Sequence, residues 1–166
     1  MTEEVNNTEA DKPINPQHNF RHIRRIGREF SVQFLFQLDM ADVDSVDGAL
    51  GDFWEQVEES DFMPMNSSYS EARQYAERLI TGILDRKDEI DSLIGDTAKK
   101  WDINRMAAVD RNIMRVAVFE MLEVEDVPPL VSINEAIEIS KDFSDNKSAK
   151  FINGILDKVK KILGKD

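Results

Sequence analysis

The sequence predicts an all-α protein of about seven helices, and three observations support this. Apolar residues recur at three- and four-residue steps over long stretches, which is the spacing of one helix face. No stretch alternates polar and apolar residues for long enough to indicate a strand. Segments of loop composition and a pair of prolines separate the helical stretches.

The first helix is predicted from about residue 22 to residue 40. Its apolar stripe includes Ile26, Phe30, Phe34 and Leu38, which follow one another at four-residue steps. The preceding residues are polar and contain two prolines, so residues 1–19 are expected to form a disordered tail and residues 20–166 a single helical domain. A second helix is expected around residues 49–59.

The middle of the chain is predicted to form two long helices. One runs from about residue 69 to residue 94 and is expected to stop at Gly95, and a short extra turn is expected over residues 96–100. The other runs from about residue 105 to residue 123 and is expected to be broken by Pro128 and Pro129.

Two helices are predicted in the last third of the chain. Ser132 and Glu135 have the spacing of a capping box, which predicts a helix that runs to about residue 142. The final helix is expected over residues 147–163 and contains Gly154, which costs about 1 kcal/mol there relative to alanine. We therefore expect another helix to approach closely at Gly154.

Composition excludes several classes of function. The chain has no cysteine, and hence no disulfide, thiolate nucleophile or thiolate metal site. It lacks a glycine-rich phosphate loop and any pattern typical of a catalytic nucleophile. His18 and His22 lie four residues apart but have no carboxylate beside them, so we expect no metal and no cofactor. The sequence indicates a protein that is not an enzyme.

The N-terminus and the hydropathy of the chain bear on its location. No signal-peptide pattern is visible at the N-terminus. No apolar run approaches the roughly 20 residues that a membrane span requires. A soluble cytoplasmic protein without a membrane partner is expected.

The net charge of −12 hides a strong asymmetry. Residues 18–28 hold four arginines and no acid, and residues 146–165 hold six lysines and one acid. By contrast, residues 39–61 hold nine acids and no base. This polarity is typical of a basic nucleic-acid face combined with an acidic face that meets solvent or a basic partner. Chance clustering of surface charge is the alternative.

The basic residues near the N-terminus form the first candidate binding site. Their spacing places them beside the apolar stripe of the first helix, and we expect their guanidinium groups to project outward together. Arginine suits phosphate because its planar fork donates two parallel hydrogen bonds. A solvated helix face is the alternative. The candidate residues are Arg21, Arg24, Arg25 and Arg28.

The start of the final helix forms the second candidate site. Lys147 and Lys150 lie at the end of the helix where the helix dipole disfavours positive charge. A phosphate bound at this helix start, which offers backbone N–H groups, would offset that unfavourable interaction. Phe151 could stack on an unpaired base. From the residues alone, core packing is the favoured role of Phe151.

Three stretches of this chain resemble the NusB family of bacterial RNA-binding transcription antitermination factors. They are residues 24–37, with Arg24-Arg25-Ile26-Gly27-Arg28-Glu29, residues 110–120, and residues 131–156. The resemblance extends over about residues 22–161. It implies an all-helical fold with two packed helical subdomains in a bacterial cytoplasmic protein.

The resemblance also implies a function and its partners. NusB-like proteins pair with NusE, a small-subunit ribosomal protein, and bind the single-stranded boxA element of nascent RNA. They support ribosomal RNA transcription within the RNA polymerase antitermination complex. By resemblance, Arg24, Arg25 and Arg28 contact RNA, as do Lys147, Ser148, Lys150 and Phe151, while Phe36 and Asp110 face NusE. A homodimer is left open.

Two features depart from the pattern of the family. Many relatives carry an acid where this chain has Lys147, which is expected to strengthen general RNA affinity. About 20 residues precede the arginine motif, and their acids are expected to compete with RNA for the arginines. These acids are Glu3, Glu4, Glu9 and Asp11.

Two further interpretations of the function remain open. The chain could be an RNA-binding module that acts with a ribosomal RNA-modifying enzyme, although no cofactor-binding α/β segment follows the last helix. It could also be a helical protein-interaction adaptor whose arginines bind an acidic protein.

Overall fold

The computed structural model describes residues 16–99 and 102–165, with side chains from residue 22 onward. Seven α-helices lie within these residues, and no strand does, so the predicted all-α class is confirmed. Among the described residues, no helix is both long enough and apolar enough to cross a membrane. The helices are α1 (Pro16–Met40), α2 (Val46–Glu59), α3 (Ser67–Asp85), α4 (Lys87–Ala98), α5 (Ala108–Glu123), α6 (Pro129–Phe143) and α7 (Asn146–Ile162).

The helices enclose two hydrophobic cores that share α1 and α3. The first core joins α1, α2 and α3 and is aromatic: the ring of Phe30 meets those of Trp54 and Tyr69 edge-on, at centroid distances of 5.2 and 6.3 Å. The second core is mainly aliphatic and contains residues of α1 and of every helix from α3 through α7. Because α1 and α3 contribute to both cores, they form the central layer between the two helical subdomains.

The single helix predicted over residues 69–94 is wrong, because the chain bends at Arg86 between α3 and α4. Arg86 has φ −117° and ψ 22°, and its guanidinium pairs with Glu89 at 2.8 Å. The apolar period continues across the bend, so that Ile83 and Ile90 are both fully buried. The expected stop at Gly95 is also wrong, since α4 continues to Ala98.

Helix α1 begins at Pro16, before the expected start near residue 22. Proline is favoured at the first turn of a helix, where its missing N–H has no helical partner to lose. Four residues of the predicted tail are therefore helical. Residues 1–15, with the four acids expected to compete with RNA, lie outside the described residues, and the disordered tail stays a prediction.

The expected capping box at Ser132 and Glu135 is wrong. Helix α6 already begins at Pro129, which occupies its first turn. Ser132 is therefore inside the helix and buried, and its Oγ has no hydrogen-bond partner among the described residues. The helix expected from residue 105 begins later than predicted. Residues Ile103–Arg105 form a separate 3-10 turn, and α5 begins at Ala108.

The close helix approach expected at Gly154 is wrong, because no atom would lie within 4 Å of a Cβ added there. The close approach occurs instead at Gly27, where α1 crosses α3. A Cβ at Gly27 would lie 2.9 Å from the carbonyl oxygen of Ala72 and 3.0 Å from Tyr75 Cδ1. The contact with backbone cannot be relieved by moving a side chain.

Substitution of these two glycines by alanine is expected to change the free energy of unfolding in opposite directions. Gly27→Ala should lower the free energy of unfolding by about 1–3 kcal/mol, because it overpacks the α1–α3 crossing. Gly154→Ala should raise it by up to about 1 kcal/mol, because an exposed helix interior favours alanine. Urea denaturation of both variants measures the difference. A Gly27→Ala protein as stable as the Gly154→Ala control would contradict the crossing geometry.

Candidate nucleic-acid interface

Among the arginines of the cluster whose side chains the structure describes, Arg28 is the most deeply buried, with 4% of its side chain exposed. Its Nε lies 3.0 and 2.9 Å from the two carboxylate oxygens of Glu120 in α5, whose side chain is 1% exposed. The Tyr75 hydroxyl of α3 donates to the same carboxylate. Burial, with the charge and hydrogen bond of Glu120, raises the pKa of Tyr75.

The expectation that all the guanidinium groups project outward is therefore wrong for Arg28. Helix α1 lies between two cores and buries two faces, one apolar and one carrying Arg28. For Arg28 to bind a phosphate it would have to leave Glu120, and that buried carboxylate would then be charged and unpaired, which is costly. Arg28 thus acts within the fold, by joining α1 to α3 and α5. The RNA contact expected for Arg28 stays a prediction.

Arg25 has a more accessible position. Its Nε and Nη2 donate to the two carboxylate oxygens of Glu135 in α6 at 2.6 and 2.9 Å. The Arg25 side chain is 38% exposed, whereas that of Glu135 is 15% exposed. Arg28 Nη1 lies 3.6 Å from Glu135, which gives this carboxylate a second cation. Arg25 can therefore turn toward a phosphate while Glu135 keeps a charged partner.

Arg24 is held on two sides. Its Nη1 and Nη2 donate to Asp126 at 3.3 and 2.8 Å, and its Cζ lies 4.8 Å from the centre of the Tyr75 ring. Beside this pair a cavity of about 390 Å³ opens between α1 and the start of α6, with exposed Val131 and Asn134 in its lining. The side chain of Arg21 lies outside the described residues.

The second candidate cluster is built around the turn between α6 and α7. Asp145 caps α7 by accepting from the Ser148 N–H at 2.9 Å. The hydroxyls of Ser144 and Ser148 donate to the two carboxylate oxygens of Asp110, each at 2.9 Å. Asp110 is buried at the start of α5, so these bonds fix the α7 N-terminus against α5.

Lys147 and Lys150 are exposed on the first turns of α7, as expected for groups that meet a phosphate. Phe151 packs against the second core and also lines a cavity of about 440 Å³, so the core packing favoured from the residues is confirmed and its stacking on a base stays a prediction. The same cavity is lined by Arg105, an exposed base that sequence analysis missed. In the sequence no other base lies within four residues of Arg105, so it does not stand out as part of a basic cluster, and only the fold brings it to the lysines.

The residues expected to face NusE lie on helices that touch. Half-buried Phe36 is in the second half of α1, and Asp39, one turn further, bonds Arg111 Nη2 at 2.9 Å and Asn112 Nδ2 at 3.0 Å. Arg111 follows Asp110 directly in α5. However, Asp110 is buried and bonded to Ser148, so it belongs structurally to the second cluster. The binding roles of all these residues stay predictions.

The family model described as the NusB family matches residues 25–161. The chain belongs to the NusB family. A "Transcription antitermination protein NusB" from Myxococcus xanthus is 40% identical over 142 residues, covering 86% of this chain and 97% of the relative. The resemblance predicted from the three sequence stretches is thus confirmed, and the relative's name describes an antitermination factor rather than a catalyst.

Solved structures of NusB share the same fold. The NusB of T. maritima has a TM-score of 0.69 and 33% identity, with 83% of this chain and 90% of that one covered. A structure of the antitermination factors NusB and NusE in complex with dsRNA has a TM-score of 0.69. Its identity is 24%, with 85% of this chain and 98% of that one covered, so it shows the likeness of fold.

The burial of the arginines predicts different costs for their removal. Arg28→Ala should lower the free energy of unfolding by about 3–5 kcal/mol, because it leaves Glu120 charged, buried and without its cation. Arg25→Ala should cost about 1 kcal/mol or less, because Arg25 is more than one-third exposed and Glu135 retains Arg28. Urea denaturation at neutral pH measures both free energies. Equal costs for the two variants would contradict the assignment of Arg28 to the interior and of Arg25 to the surface.

Proposed function

We propose that this NusB-family chain binds the single-stranded boxA element of nascent RNA together with NusE and supports ribosomal RNA transcription. The observation that carries the proposal is the arrangement of exchangeable or exposed cations at two surface cavities. Arg24 lines one cavity together with Arg28 and with Glu135, the partner of Arg25. Lys147 lines the other with Phe151 and Arg105. In this proposal Arg28 stabilises the fold through its pair with Glu120 and does not contact RNA.

The two cavities offer complementary contacts to an unpaired strand. Arginines at the first can take the phosphate backbone by bidentate hydrogen bonds, which positions RNA without reading its sequence. At the second, Phe151 offers a ring for base stacking, and Lys147 and Lys150 are available to flanking phosphates. Because Ser148 is tied to buried Asp110, the α7 start is rigid before RNA arrives.

An acidic chain that binds RNA benefits from a basic partner. The exposed acids of residues 42–61 oppose RNA approach, and NusE, as a basic ribosomal protein, would offset them. We propose that NusE contacts the surface near Phe36 and the first half of α5. This assembly would act with RNA polymerase on nascent transcripts in the bacterial cytoplasm.

The second candidate class, a module acting with an RNA-modifying enzyme, gains no specific support. The M. xanthus relative is matched over 97% of its own length and is named as an antitermination protein. The adaptor interpretation is separated from RNA binding by the experiment below.

The proposal predicts preferential binding of boxA RNA. Fluorescence anisotropy with boxA and scrambled RNA, with and without NusE, over a salt series should show tighter binding of boxA that NusE strengthens. Affinity should fall steeply with salt, because each neutralised phosphate releases counterions. The Arg24→Ala/Arg25→Ala double variant should weaken binding of both RNAs.

A matched control removes two charges elsewhere. Lys87 and Lys99 are exposed and outside both clusters and both basic segments, so Lys87→Ala/Lys99→Gly changes net charge equally but should affect RNA binding less. Glycine is used at Lys99 because its φ is 35°. Equal binding of boxA and scrambled RNA with NusE present, or no binding of either, would contradict the proposal. Loss of RNA binding with retained NusE binding would move the chain to the adaptor class.

A further inference from the structure

We propose that Asp126 competes with RNA phosphate for Arg24 and thereby lowers the affinity of this chain for any RNA. The inference rests on the proposed RNA-binding function and adds to it a residue that opposes binding. Asp126 lies in the loop between α5 and α6, outside the arginine motif and 102 residues from Arg24 in sequence.

The guanidinium of Arg24 is held in place by groups other than Asp126. It lies over the ring of Tyr75 at 4.8 Å, and 14% of the Arg24 side chain is exposed. Tyr75 is itself buried and bonded to Glu120, so the ring is fixed by the core. Loss of Asp126 would therefore leave a positioned guanidinium at the surface, which reduces the entropy lost when a phosphate binds.

Asp126, in contrast, is the exposed partner of the pair. Its side chain is 63% exposed. The flanking residues Val124 and Val127 are buried and joined by a 3.1 Å backbone hydrogen bond, which anchors the loop on both sides. Rotation of the Asp126 side chain would thus release Arg24 without movement of the backbone.

The charge on Asp126 is favoured by the pair itself. The pKa of Asp126 is lowered, chiefly by the hydrogen bond from Arg24 and also, more weakly, by the charge of Arg78, an exposed residue of α3. The carboxylate is therefore ionised at neutral pH and opposes a phosphate that approaches Arg24.

Carboxylate and phosphate are alternative ligands for one guanidinium edge. Asp126 uses Nη1 and Nη2 together, which is the bidentate geometry that a phosphate also prefers. Both anions cannot occupy that edge at once. The Arg28–Glu120 pair differs because only 4% and 1% of its two side chains are exposed. Exchange is thus limited to the exposed pairs of the motif.

The test compares Asp126→Asn with Glu125→Gln. Both variants remove one negative charge from adjacent exposed positions, but Glu125 forms no ion pair among the described residues. Binding of boxA RNA and of scrambled RNA is measured by anisotropy, with each variant made in the wild-type chain and in the Arg24→Ala chain. Thermal unfolding verifies that all variants are folded.

Asp126→Asn is expected to tighten binding of both RNAs by about two- to fivefold beyond Glu125→Gln, the range of an exposed ion pair. In the Arg24→Ala chain this excess should disappear, because the competition has no target. Equal effects of the two variants, an excess that persists without Arg24, or weaker binding by Asp126→Asn would overturn the competition and leave the proposed function standing. A wild-type chain that binds no RNA would overturn both.

Discussion

The buried contact of Arg28 with Glu120 is the constraint on which the rest of the molecule depends. A guanidinium and a carboxylate removed from water are stable only with close geometry and further hydrogen bonds. Glu120 meets this requirement with Arg28 and Tyr75, and Arg28 adds Glu135 at 3.6 Å. Since these residues come from α1, α3, α5 and α6, the pair sets how the shared helix α1 lies against the second core.

This constraint also divides the arginine motif into parts with different chemistry. Arg28 is committed to the interior, whereas Arg25 and Arg24 pair with carboxylates nearer to solvent. Each carboxylate satisfies a guanidinium in the structure, and under the proposed function Asp126 and Glu135 are the groups that a phosphate would replace. The positive charges of Arg24 and Arg25 are therefore balanced within the chain, and an anion that binds them more strongly, such as a phosphate, could replace the carboxylates.

Sequence periodicity predicted the class and most helices, because one apolar face per helix is a local property. It missed the bend at Arg86, where the apolar period runs on through Ile83 and Ile90. It placed the arginines on α1 but not their partners, since Glu120 and Glu135 lie 92 and 110 residues away. For the same reason it missed Arg105 beside Phe151 and assigned Glu135 to a cap.

The most direct test of this account is a double-mutant cycle on the free energy of unfolding with Arg28→Met, Glu120→Leu and both together. The account predicts that the double variant costs clearly less than the sum of the single variants, with a coupling of about 1–3 kcal/mol. Such coupling means that each single change strands a buried charge that the other removes. Costs that simply add would show that the two side chains act independently, and would contradict the role of this pair in holding α1.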